Sequence, residues 1–137
     1  MATVRDSMTQ NPRTLTSDST IVEAARAMRD EDAGIMPVVS GDRLEGVITD
    51  RDIVIRVVAE GRDPSSTSVR DAMSDRVVTI DPMQDLDEAT RLMGEHQVRR
   101  LPVCEEDGRL VGVLAQADIA RTGDDGLTGD TVQQISQ

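Results

Sequence analysis

The 137-residue chain has no phenylalanine, tyrosine or tryptophan, one cysteine and one histidine. Without aromatics, packing rests on Leu, Ile, Val, Met and Ala, and a fully buried large aliphatic side chain contributes roughly 1.5–3 kcal/mol. Any ligand base must likewise lie on aliphatic surface. A lone Cys104 cannot form an intramolecular disulfide, and with the lone His96 it cannot build a multi-ligand zinc site of the usual nitrogen and sulfur kind. A reducing, cytoplasmic setting is expected. No apolar run approaches the roughly 20 residues of a membrane span, and the N-terminus lacks an apolar signal segment. Basic residues are few, 15 against 26 acidic, and the formal charge of −11 sets up a field that repels DNA, RNA and an anionic membrane face. No nucleic-acid or membrane partner is therefore expected, although a small anion can bind in a locally favourable pocket. There is no Gly-x-x-x-x-Gly-Lys loop and no Gly-x-Ser-x-Gly elbow, and no general base can be paired with a nucleophile, so an enzyme ranks below a binding or structural role.

What the chain does have is internal repetition. Val4-Arg5-Asp6-Ser7-Met8-Thr9 returns as Val69-Arg70-Asp71-Ala72-Met73-Ser74, an offset of 65. Glu23-Ala24 then pairs with Glu88-Ala89, Met28 with Met93, and Pro37-Val38 with Pro102-Val103. One residue is added in the second copy, after which Gly46-Val47 and Asp52-Ile53 match Gly112-Val113 and Asp118-Ile119. The reading is repeat 1 over 1–60, an exposed Pro/Ser/Thr linker over 61–68, repeat 2 over 69–122, and a tail over 123–137 without apolar period, mobile or only weakly helical.

Each copy predicts the same elements. Thr14-Leu15-Thr16 and Val78-Thr79-Ile80 read as extended, and each precedes a capping-box spacing, Thr20-x-x-Glu23 or Asp85-x-x-Glu88. The helices that follow place Ile21, Ala24, Ala25 and Met28, or Leu86, Ala89, Leu92 and Met93, on one buried face. Two short apolar runs come next, Ile35 to Val39 and Leu44 to Ile48, joined by the turn Ser40-Gly41-Asp42-Arg43. Their counterparts are Leu101 to Cys104 and Leu110 to Leu114. A closing helix is expected from Asp50 to about Ala59, with Gly61 as its stop; its counterpart starts near Gln116 and is cut short around Gly123.

This order, the Pro-Val strands and the Thr49-Asp50-Arg51-Asp52-Ile53 segment resemble a tandem pair of cystathionine β-synthase (CBS) domains, a Bateman module of the stand-alone bacterial type. The resemblance covers about Val4 to Arg121. It implies an α/β (α+β) fold in which two β-α-β-β-α repeats pack with pseudo-twofold symmetry and leave two clefts between them. It also implies adenosine-containing ligands such as AMP, ADP, ATP, NAD or S-adenosylmethionine, but no single function.

Two explanations compete at the strand-to-helix junction. Thr49-x-x-Asp52 before an apolar helix is itself a capping box. It is also a helix N-terminus at which a phosphate can meet free N–H groups and the Thr49 hydroxyl. The resemblance assigns Asp52 to the ribose hydroxyls. In the second copy Ala115 replaces the threonine while Asp118 persists, which a helix dipole favours by only about 0.3–1 kcal/mol. Gly46 leaves room for a ligand or for another backbone. Met36, Pro37, Val47 and Ile48 offer aliphatic surface for adenine or serve as core, and backbone around Thr14 and Leu15 is implied by the resemblance to meet the base edge. Arg99 and Arg100 are either solvated or a phosphate clamp, on the strand that in this family faces the other copy's Thr-x-x-Asp. One competent site and one degraded site are expected. The leading expectation is a soluble regulatory module with an adenine nucleotide as regulatory ligand and no required cofactor. It is expected to form a homodimer and to act on a separate protein, since no fused effector domain is present. The alternative is a ligand-free structural or protein-interaction CBS protein.

Overall fold

The computed structural model describes residues 2–122, so the expectation for the 123–137 tail lies outside the described residues. The chain forms two compact units: unit 1 joins Met1–Pro12 to Val78–Gln137, and unit 2 is Arg13–Val77.

In unit 2 the Thr20 hydroxyl accepts the Glu23 N–H at 3.1 Å and starts α2, Ile21–Glu31. Its buried face is Ile21, Ala24, Ala27 and Met28. Ala25, expected on that face, is exposed, because the stripe centres on Ala24 and Met28 and leans towards Ala27, leaving Ala25 at its far edge. Strands β2 (Ile35–Ser40) and β3 (Arg43–Thr49) pair antiparallel, and Ser40 faces Arg43 across the tight turn Gly41-Asp42, where Gly41 takes φ +63°. Leu15 joins β2 by a single parallel bridge to Val38. The closing helix departs from expectation. Four residues of α3 (Asp50–Ile53) pass into a π-helix, Val54–Val58, in which the Ala59 N–H reaches back to the Val54 carbonyl at 2.8 Å. Val57 enters the core, whereas Val54, Ile55 and Val58 are 55, 51 and 62% exposed.

Unit 1 repeats the plan. Asp85 caps α4 (Leu86–His96) by accepting the Glu88 N–H at 2.9 Å. Strands β4 (Arg100–Cys104) and β5 (Leu110–Ala115) form a hairpin that runs into α5 (Gln116–Thr122). Both hairpins shift register at the same place, between Val38 and Val39 and between Val103 and Cys104. Ile80 makes the parallel bridge to Val103 that matches Leu15 and Val38.

The repeated Val-Arg-Asp segments, however, are exchanged. Helix α1 (Val4–Ser7) and β1 (Thr9–Gln10) belong to unit 1, where β1 pairs with β5 and Val4 lies in the core with Met93, Leu101 and Leu114. The short 3-10 turn Val69–Asp71 belongs to unit 2, where Val69 and Ala72 join Ile21, Val38 and Ile48. The preceding linker is exposed from Gly61 to Ser66 and then buries Thr67, whose hydroxyl donates to the Asp63 carbonyl at 2.7 Å.

Two glycines admit these segments. A Cβ on Gly46 would collide with the Ser74 carbonyl, and one on Gly112 would lie 2.6 Å from Met8 Sδ and 2.8 Å from the Thr9 carbonyl. At each glycine one obstacle is a backbone carbonyl, which cannot swing aside as a flexible side chain can. Gly46→Ala and Gly112→Ala are each expected to lower stability by about 1–3 kcal/mol, the usual cost of overpacking. Urea unfolding midpoints measure this, and unchanged midpoints count against the close approach.

Candidate functional site

The junction of β3 and α3 in unit 2 is a complete capping box. Thr49 Oγ1 accepts the Asp52 N–H at 3.0 Å, and Asp52 Oδ2 accepts the Thr49 N–H at 2.9 Å. Both residues are half-buried. This uses one oxygen of the carboxylate; Asp52 Oδ1 has no hydrogen-bond or ionic partner among the described residues. The Thr49 hydroxyl accepts, so its own proton remains to be donated. A carboxylate oxygen and a hydroxyl donor, both fixed by backbone bonds, suit a polyhydroxylated ligand.

The matching junction in unit 1 is a half box. Ala115 supplies no hydroxyl, but its N–H still donates to Asp118 Oδ2 at 2.8 Å. Asp118 Oδ1 pairs with Arg121 Nη2, and the residue is only 5% exposed. The persistence of Asp118 thus has a structural cause that spacing could not reveal. The aspartate accepts the N–H of the residue before the helix, whatever that residue's side chain.

Leu15, Met36, Pro37, Val47 and Ile48 lie together in unit 2. Pro37 faces Val47 and Met36 faces Ile48 across the hairpin, and Ile35 faces Thr49. Leu15, Met36 and Ile48 belong to the core cluster. By strand alternation Pro37, Val47 and Thr49 share the opposite face of the hairpin. The backbone of Leu15 is committed, its N–H to the Pro37 carbonyl at 3.0 Å and its carbonyl to the Val39 N–H at 2.8 Å. Thr14 beside it is exposed. The space at Gly46 is filled by Ser74 and Met73. Arg99 and Arg100 lie in unit 1 with Asp118, at the start of β4, where the Arg99 carbonyl accepts the Gln116 N–H at 2.8 Å and Arg100 faces Ala115. Arg99 is exposed and Arg100 half-buried.

Elsewhere in unit 1 an open groove of about 420 Å³ is lined by Arg5, Asp81, Met83, Glu105 and Asp107, none of them a predicted site residue. His96 is exposed at the end of α4. Cys104 is buried on β4, and desolvation pushes its thiol up to about 11. Among the described residues no three His, Cys, Asp or Glu side chains are placed to share a metal ion, and no helix is long and apolar enough to cross a membrane.

The CBS domain family matches residues 4–59 and 69–124. The CBS domain-containing protein YhcV of Bacillus subtilis is 42% identical over 120 residues, covering 88% of this chain and 84% of the relative. A crystal structure of Hypoxic Response Protein I, which holds two coordinated zinc ions, is 40% identical with a TM-score of 0.79, covering 88% of this chain and 98% of that one. The Arabidopsis thaliana protein CBSX2, solved in complex with AMP, is 27% identical with a TM-score of 0.77, covering 89% and 96%.

The two junctions predict opposite responses to exchanging their first residues. Thr49→Ala is expected to cost about 0.5–2 kcal/mol, the usual loss of an N-cap hydroxyl, and Ala115→Thr to gain a smaller amount by completing its box; thermal unfolding measures both. For Cys104, roughly one thiol in a thousand is ionised at pH 8 given a value of about 11. A disulfide reagent is therefore expected to label the folded protein far more slowly than the urea-unfolded chain. Equal labelling rates would contradict its burial.

Proposed function

The chain belongs to the CBS domain family, and on that premise we propose that it is a regulatory module binding an adenosine-containing nucleotide of the AMP, ADP, ATP or NAD class at Thr49 and Asp52. The observation that carries this reading is the half-engaged carboxylate of Asp52. Capping the helix fixes its orientation through Oδ2 and leaves Oδ1 directed to an outside donor, the role of a ribose hydroxyl acceptor. The Thr49 hydroxyl beside it donates to a ligand oxygen, and the buried Pro37 and Val47 lie on the same hairpin face. Exposed Thr14 is the group for the base edge. AMP in CBSX2, a protein of the same fold, supports the ligand class. Arg99 and Arg100 are proposed as counter-charges for the phosphate, a role whose signature is a loss of affinity for AMP but not for adenosine when either is replaced by Ala.

Binding rather than catalysis is the activity proposed, in a cytoplasmic setting, with a separate protein reading the bound state. The exposed Val54, Ile55 and Val58 support a homodimer. A ligand-free interaction protein is the second reading. It is favoured by the filling of the Gly46 space with Ser74 and by the commitment of the Leu15 backbone to β2.

Isothermal titration with AMP, ATP, NAD and S-adenosylmethionine decides between them. Heat from at least one nucleotide is expected. Asp52→Ala should then weaken binding by about 1.5–3 kcal/mol, the scale of a hydrogen bond to a charged group, while Asp118→Ala changes it much less. No binding of any of the four at millimolar concentration selects the second reading.

A further inference from the structure

The two junctions are equivalent by sequence, yet they differ in what becomes of the second carboxylate oxygen. In unit 2 the residue three positions after Asp52 is Ile55, which offers no hydrogen-bond donor, and Oδ1 is left without a described partner. In unit 1 the residue three positions after Asp118 is Arg121, and its guanidinium takes Oδ1. With Oδ2 already bonded to the Ala115 N–H, both oxygens of Asp118 are engaged from within the chain. Arg121 itself is largely exposed, its side chain at 73%, so its main contact is with the carboxylate rather than with the core.

We propose that Arg121 is a built-in occupant of the second nucleotide site, holding the Asp118 carboxylate in the place where a ribose hydroxyl would bind. This rests on the nucleotide reading of Thr49 and Asp52 and adds a cause for asymmetry between the repeats. The second site is blocked by a side chain of its own helix, and the missing hydroxyl at Ala115 is a secondary defect. A guanidinium competes well for the position, because a charge-assisted pair is about twice as strong as a neutral hydrogen bond. The pair forms within one turn of a helix, so it needs no further ordering of the chain.

The test is a titration of the full chain with AMP, counting equivalents per chain for the wild type, Arg121→Ala and Arg121→Met. Wild type is expected to bind one equivalent and both variants two. The second should be weaker than the first by at least about tenfold, because Ala115 lacks the hydroxyl hydrogen bond and Gly34 and Ile35 are the counterparts of Arg99 and Arg100. Adding Asp118→Ala to either variant is expected to return the count to one. Circular dichroism and unfolding midpoints show which variants are folded, and the methionine variant keeps the length of the stem should alanine loosen α5. Folded variants that stay at one equivalent overturn the blocking role while leaving the nucleotide reading intact, and so does a wild type that binds two. A wild type that binds none removes the nucleotide reading and the blocking role with it.

Discussion

The fold turns on two missing methyl groups. At Gly46 the absence of a Cβ lets the Ser74 backbone come close enough to exchange both hydrogen bonds with Val47, each at 2.9 Å. That contact seats the segment beginning at Val69, so that Val69 and Ala72 complete the core under β2 and β3. At Gly112 the same absence lets β1 lie against β5 and carries Val4 into the other core. Neither glycine has a positive φ, so steric access, not backbone conformation, is what requires them. Each unit is completed by a segment from the opening of the repeat that belongs mainly to the other unit.

Features set by near neighbours were legible in the sequence. The N-cap at Thr20 and the capping box at Thr49 use partners three residues apart, and the Gly41-Asp42 turn is fixed by its own φ, so local chemistry determined them. The repeat announced two equivalent units. It could not announce the exchange of their Val-Arg-Asp segments, because an offset of 65 records equivalence and not partnership. The π-helix at Val54–Val58 had no local signal. Ala25 and Ala27 differ by a small rotation about one helix axis, which apolar spacing at alanines does not resolve.

The candidate site shows the same division. The capping pair Thr49 and Asp52 was legible because its two members lie three residues apart. Met36 and Ile48 were not separable from Pro37 and Val47, since both faces of this hairpin are buried and a continuous apolar run does not distinguish them. The backbone N–H that Asp118 accepts was invisible in side-chain patterns. Arg121 is one of 15 cationic residues, and what distinguishes its ion pair is the burial of its partner, Asp118.

The order of the chain through the two units also governs how the protein emerges from the ribosome. Synthesis delivers the segment ending at Pro12 before Arg13–Val77, yet its partners in unit 1 begin at Val78. Arg13–Val77 can close on itself as soon as it is outside the exit tunnel. At roughly 5–20 residues per second, the leading segment waits several seconds, with Val4 and the edge of β1 uncovered, while a whole unit is made and folded behind it. A short, polar β1, with both Thr9 and Gln10 exposed, makes that wait safer than a long apolar strand would. A segment made before unit 2 meets its partners only after unit 2 is made.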